Sequence, residues 1–138
     1  NTDLLLCNKY NKIFCGKLVR GAYWNSEFKD GHLFTNKEDT NDSYNQGILD
    51  IYNFKANKPP KVILATHNKS SAELGMMLNK NEKIFEFAHL QGMREKYYDR
   101  YVSNQTVYVY IPYGPYNEMI PYLMRRLYEN MDVIKHIF

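Results

Sequence analysis

Four short runs of β-branched and aromatic residues recur along the chain, each followed by polar or glycine-containing sequence and then by helically spaced apolar residues. They are GKLVRGAYW (16–24), KVILATHN (61–68), KIFEFAHLQGM (83–93) and VYVYIPYGP (107–115). Their composition marks them as strands. After the second run, Ser70 and Ser71 lead into Ala72, Leu74, Met76, Met77 and Leu78, a helix pattern with Glu73 placed to support its first turn. After the fourth, Gly114 and Pro115 turn the chain into the helical stretch YLMRRLYEN (122–130). A further helix is expected over 44–53, where Ile48, Leu49, Ile51 and Tyr52 precede the Pro59-Pro60 break, and 4–10 reads as the tail of another.

The runs start about 45, 22 and 24 residues apart, too far for hairpins and far enough for a helix in every connection. Repeated strand-helix units predict a parallel sheet. Two α/β architectures satisfy this: half of a (β/α)8 TIM-like barrel, or an open doubly wound sheet. A whole barrel takes about 200 residues or more, so these 138 would hold only half of it. The chain is one domain-sized unit, and half a barrel leaves two parallel edge strands and half a core open. Alone it is expected to be unstable, oligomeric or inactive.

In either architecture the chemistry collects where parallel strands end. Those ends hold Arg20, Gly21, Ala22, Tyr23 and Trp24; Thr66, His67 and Asn68; His89 and Leu90; and Tyr110, Pro112 and Gly114. The last helix has two faces. At about 100° per residue, Tyr122, Arg125, Arg126 and Glu129 fall within roughly 100° of arc, opposite Ile120, Leu123, Met124, Leu127 and Met131. The polar face is either a solvated surface with an Arg125–Glu129 pair or an anion site, since paired guanidiniums suit a carboxylate or phosphate.

Composition narrows the classes. Apolar residues make up 44% of the chain, enough for a core, while the longest apolar runs are strand-length and too short to span a bilayer. A net charge of +3 with scattered lysines gives no nucleic-acid footprint. Cys7 and Cys15 lack CxxC spacing and a companion histidine cluster, so neither a disulfide framework nor a metal site is expected, and both read as reduced core thiols. No glycine-rich phosphate loop, GxSxG elbow or HExxH occurs in the sequence. The chain opens on Asn1 without a secretory or Arg-rich leader, the expected look of a piece of a longer protein.

In this order and at these separations, KLVRGAYW, ATHN, FAHLQGM, YIPYGP and YLMRRLYEN resemble the FAD-dependent proline dehydrogenase family from about Leu4 to the C-terminus. The resemblance implies a distorted (β/α)8 barrel, of which these motifs would be strands five to eight and the last helix. It implies that Arg125 and Arg126 grip the carboxylate of L-proline, with Tyr122, Tyr110, Tyr23 and Leu90 around the pyrrolidine ring. It places Lys17, Val19, Gly21, Ala22 and Trp24 near the flavin ring system. Thr66, His67 and Asn68 would lie along its ribityl and phosphate portion, and Thr35, Lys37, Thr40 and Glu129 at its adenosine end. The implied reaction gives pyrroline-5-carboxylate and passes electrons to a membrane quinone. Mitochondrial placement and peripheral association with the membrane would follow. The family's first four strands, with a pocket lysine and aspartate, are absent, and the role of His89 is left open. The competing reading is a non-catalytic remnant or interaction module that keeps the motifs.

Overall fold

The computed structural model describes residues 2–20, 34, 36–80, 83–92, 95–99 and 104–129, with the side chains of 95, 96, 127 and 129 left aside. In chain order these residues form α1 (Thr2–Lys9), β1 (Cys15–Val19), α2 (Lys37–Asn53), β2 (Lys61–Ala65), α3 (Lys69–Leu78), β3 (Phe85–Leu90), the single turn α4 (Glu95–Tyr98), β4 (Val107–Tyr110) and α5 (Tyr116–Glu129). The four strands pair in parallel in the sequential order β1-β2-β3-β4. Gly21, Ala22, Tyr23, Trp24 and Thr35, all expected near the ligands, lie outside the described residues.

Register sorts the strand residues onto two faces. Leu18, Leu64 and Phe87 are lateral neighbours on one face. There Gly47 of α2 lies against Leu18, while Gly75 of α3 lies so close to Leu64 and Phe87 that an added Cβ would come within 2.5 Å of Leu64 Cδ1. Glycine at 75 is therefore a packing requirement, letting α3 approach the sheet backbone to backbone. The core fills this layer: Tyr44, Ile48, Val62, Leu64, Ala72, Met76, Ile84, Phe85, Phe87 and Tyr98 are all buried. Sequential strand order with α2 and α3 on the same face is the arrangement of half of a (β/α)8 barrel. A doubly wound sheet would reverse direction and place helices on both faces.

Local chemistry sets the element boundaries. α2 begins seven residues before the expected start at 44, because Asn36 accepts the Asp39 amide at 2.6 Å and the first turn carries Glu38 and Asp39 against the helix dipole. The first turns of α2 are polar, so apolar periodicity alone did not reach them. α3 starts where Asn68 accepts the Ser71 amide at 3.1 Å, which ends β2 short of the THN segment. At the far end of α3, the 5% exposed Asn79 is a clasp. Its amide donates to Phe85 O at 2.6 Å and Gln105 Oε1 at 2.7 Å, and its carbonyl accepts the amides of Ile84 and Phe85.

The apolar stripe of α5 is expected to pack on the barrel while Tyr122, Arg125, Arg126 and Glu129 look towards the strand ends. The first half of this expectation for α5 is corrected at the described residues. Its apolar side does not pack: Ile120, Leu123 and Met124 are 51%, 38% and 58% exposed. The helix instead meets the sheet through its polar face, where Tyr122 reaches Tyr110. Among the described residues β1 and β4 are the two edges of the sheet, with Val19 45% and Tyr110 54% exposed, and Cys15, expected in the core, is exposed at the start of β1.

Candidate active site

The face opposite α2 and α3 carries the expected site residues of the strands. Pairing of Val19 with Ala65, Ala65 with Ala88, and Ala88 with Tyr108 forms one lateral row. Lys17, Ile63 and Glu86 form the row on the N-terminal side of it, and Leu90 with Tyr110 the row on the C-terminal side. The two alanines leave a shallow trough on the central strands, bounded by Lys17 and Val19 on one side and by Tyr108 and Tyr110 on the other. His67, two residues past the end of β2, lies beside Leu90, and its Nε2 accepts the Leu90 amide at 3.2 Å, which places a ring proton on Nδ1.

The arginine pair comes to this face through two tyrosines. The rings of Tyr110 and Tyr122 meet edge to face with centroids 6.2 Å apart, and the Arg126 guanidinium lies over the Tyr122 ring, 5.7 Å from its centroid. Burial pushes the Tyr122 phenol above its ordinary value, Tyr110 adds to that, and Arg126 and Arg125 oppose it. Arg126 is half-buried and Arg125 exposed on the same polar arc. The structure thus brings Leu90, Tyr110, Tyr122, Arg125 and Arg126 to one end of the sheet.

The flavin-side candidates divide. Lys17 and Val19 face the trough. Thr66 projects the other way and is 3% exposed, its hydroxyl accepting the Asn68 amide at 3.0 Å and its carbonyl the Tyr98 hydroxyl at 2.6 Å. Asn68 spends its carbonyl on the α3 cap and donates from its amide to Asn41 Oδ1 at 3.0 Å. Thr40, in the first turn of α2, returns its hydroxyl to Asn36 O, while Lys37 one turn earlier is exposed. The side chain of Glu129 lies outside the description.

Three neighbours were not singled out from sequence. Asn41 joins Asn68 to Arg20, whose Nε donates to its Oδ1 at 2.7 Å. Burial pulls the Arg20 guanidinium below its ordinary value, with Tyr44 opposing. The Tyr108 hydroxyl donates to Glu86 Oε2 at 3.0 Å within the trough and is pushed up by that bond. Alternation in FEFAHL and VYVY already set Glu86 with Leu90 and Tyr108 with Tyr110; Asn41 carried no such signal. His89, by contrast, is buried on the helix side, stacked on Tyr98 at 4.8 Å.

Residues 3–137 match the family model described as proline dehydrogenase. The chain is 38% identical to proline dehydrogenase 2, mitochondrial, of Arabidopsis thaliana over 86% of its own length and 28% of that protein's. It is 31% identical to proline dehydrogenase 1, mitochondrial, of Dictyostelium discoideum over 96% of this chain and 26% of that one. Among solved structures, proline utilization A (PutA) of Bradyrhizobium japonicum superposes with a TM-score of 0.75 at 26% identity, covering 91% of this chain and 14% of that one. The chain therefore spans about a quarter of the length of the curated relatives it matches. It belongs to the proline dehydrogenase family.

Proposed function

We propose that this chain contributes the carboxylate clamp and one wall of the flavin trough to an enzyme that oxidises L-proline to pyrroline-5-carboxylate. The observation that carries the reading is the Tyr110–Tyr122–Arg126 contact, which turns the cationic face of α5 towards the strand ends. Paired guanidiniums there suit a carboxylate, and Leu90 and Tyr110 give the apolar surface that a saturated five-membered ring needs.

The trough fits a flavin. Paired Ala65 and Ala88 leave room for a flat ring system over β2 and β3, which larger side chains would fill, and Lys17 offers a cation at its edge. When bound, FAD supplies the two-electron oxidation and hands the electrons on to a quinone. The chain's own residues bind and orient. Arg125 and Arg126 fix the carboxylate, Tyr122 braces Arg126, and Leu90 and Tyr110 exclude water from one side of the ring. Such placement is decisive because a shift of ~1 Å at the reacting carbon costs about a hundredfold in rate. Relatives named mitochondrial support placement in that organelle, with a quinone acceptor implying peripheral contact with the membrane.

The test is optical. The protein carrying this chain, purified and kept anaerobic, should show flavin absorbance in the visible that bleaches when L-proline is added. A colourless protein, or a yellow one that proline does not bleach, would instead favour the non-catalytic module.

A further inference from the structure

We propose that Asn41 is a positioning residue, one side-chain carbonyl that locks the ends of β1 and β2 onto α2 and so sets the shape of the flavin-facing strand ends. The inference rests on the flavin reading above. Asn41 Oδ1 accepts from Arg20 Nε at 2.7 Å and from Asn68 Nδ2 at 3.0 Å. A carbonyl oxygen has two lone pairs, so both are used. Arg20 follows the last residue of β1, and Asn68 is the cap of α3. Asn41 itself lies in the second turn of α2, next to Thr40 and one turn after Lys37.

Each segment it joins carries candidate flavin contacts: Val19 beside Arg20, His67 beside Asn68, and Lys37 and Thr40 on α2. Asn68 has little freedom left, since its backbone amide goes to Thr66 Oγ1 and its side-chain carbonyl to Ser71. Tyr44, one turn further along α2, reinforces the same junction by donating to Leu18 O at 3.2 Å. Loss of the Asn41 acceptor would leave a half-buried guanidinium and an amide without that partner, and would leave the two strand ends held to each other by the Arg20 amide on Ala65 O but no longer tied to α2 through that side chain.

The role requires only the acceptor, which separates it from a role in packing. Asn41→Asp keeps an oxygen for both donors, whereas the near-isosteric Asn41→Leu keeps the volume and loses the oxygen. In apo-protein titrated with FAD, Asn41→Leu should bind about tenfold or more weaker, as expected for losing hydrogen bonds that include a charged donor. Asn41→Asp should stay within about threefold of wild type, and in an Arg20→Met background the Asn41→Leu penalty should shrink. Should Asn41→Leu not fold, Asn41→Ser, which is too short to reach both donors, should show the same loss. Wild-type affinity in folded Asn41→Leu or Asn41→Ser, or an equal loss in Asn41→Asp, would overturn the positioning role while leaving the flavin reading intact. A wild-type protein that takes up no FAD would overturn both.

Discussion

Tyr110, at the end of the last strand, and Tyr122, in the middle of the last helix, meet edge to face with ring centroids 6.2 Å apart. That contact lies between the polar face of α5 and the end of the sheet. An amphipathic helix ordinarily lays its apolar face on a sheet. Here the polar face is turned in and the apolar one is open, with Met124 58% exposed.

Replacing Tyr122 by leucine should therefore weaken proline binding through its effect on Arg126. An aromatic pair is worth about 0.5–1.5 kcal/mol beyond its area, so KM for proline should rise about threefold to tenfold. Tyr122→Phe should retain most of the affinity. Because burial and Tyr110 hold the phenol above its ordinary value, the wild-type KM should show no alkaline change from this group below about pH 10.

Tyr44 makes a prediction about stability and pH. Its phenol is pushed well up, first by burial and then by Tyr98, with Arg20 opposing. A folded-state value above the unfolded one means that the unfolded chain releases this proton first. Its contribution is complete below the unfolded value of about 10 and is lost as pH rises towards the folded value. Denaturant midpoints followed from pH 8 to 11 should fall at the alkaline end, and Tyr44→Phe should flatten that fall. The same variant should lose about 1 kcal/mol at neutral pH with the hydrogen bond to Leu18 O.

Asn79 should be the most costly polar position to truncate. Its amide makes four hydrogen bonds to three residues in a site 5% exposed. Asn79→Ala leaves buried donors and acceptors unpaired and should cost about 2–4 kcal/mol by equilibrium unfolding. Asn79→Asp should recover little, because a carboxylate still accepts from Ile84 and Phe85 but faces Phe85 O and Gln105 Oε1 with no proton to donate.

The alternation in KVILA and FEFAHL, and the spacing between runs, were enough to read four parallel strands and the face on which Leu90 and Tyr110 fall. Helical periodicity grouped Tyr122, Arg125 and Arg126, and the motifs together identified the family. What escaped was chemistry without period. The start of α2 depends on the Asn36 cap rather than on apolar spacing. Asn41 and Asn79 act by bonds to residues 21 and 26 positions away. The exposure of Ile120, Leu123 and Met124 on α5 escaped because an apolar stripe at helical spacing suggests packing. Thr66 and Asn68 stood out as flavin-contact candidates, and their side chains serve the turn into α3, which no motif announced.

The central claim is that Arg125 and Arg126 hold the substrate carboxylate, and proline-dependent dye reduction by the flavin-loaded protein tests it most directly. Each guanidinium contact is worth ~1.5–3 kcal/mol. Arg125→Met with Arg126→Met should therefore raise KM for proline at least about a hundredfold, with the visible flavin spectrum retained. A KM within about twofold of wild type in the double variant would contradict the clamp and return the arginine pair to a solvated helix face.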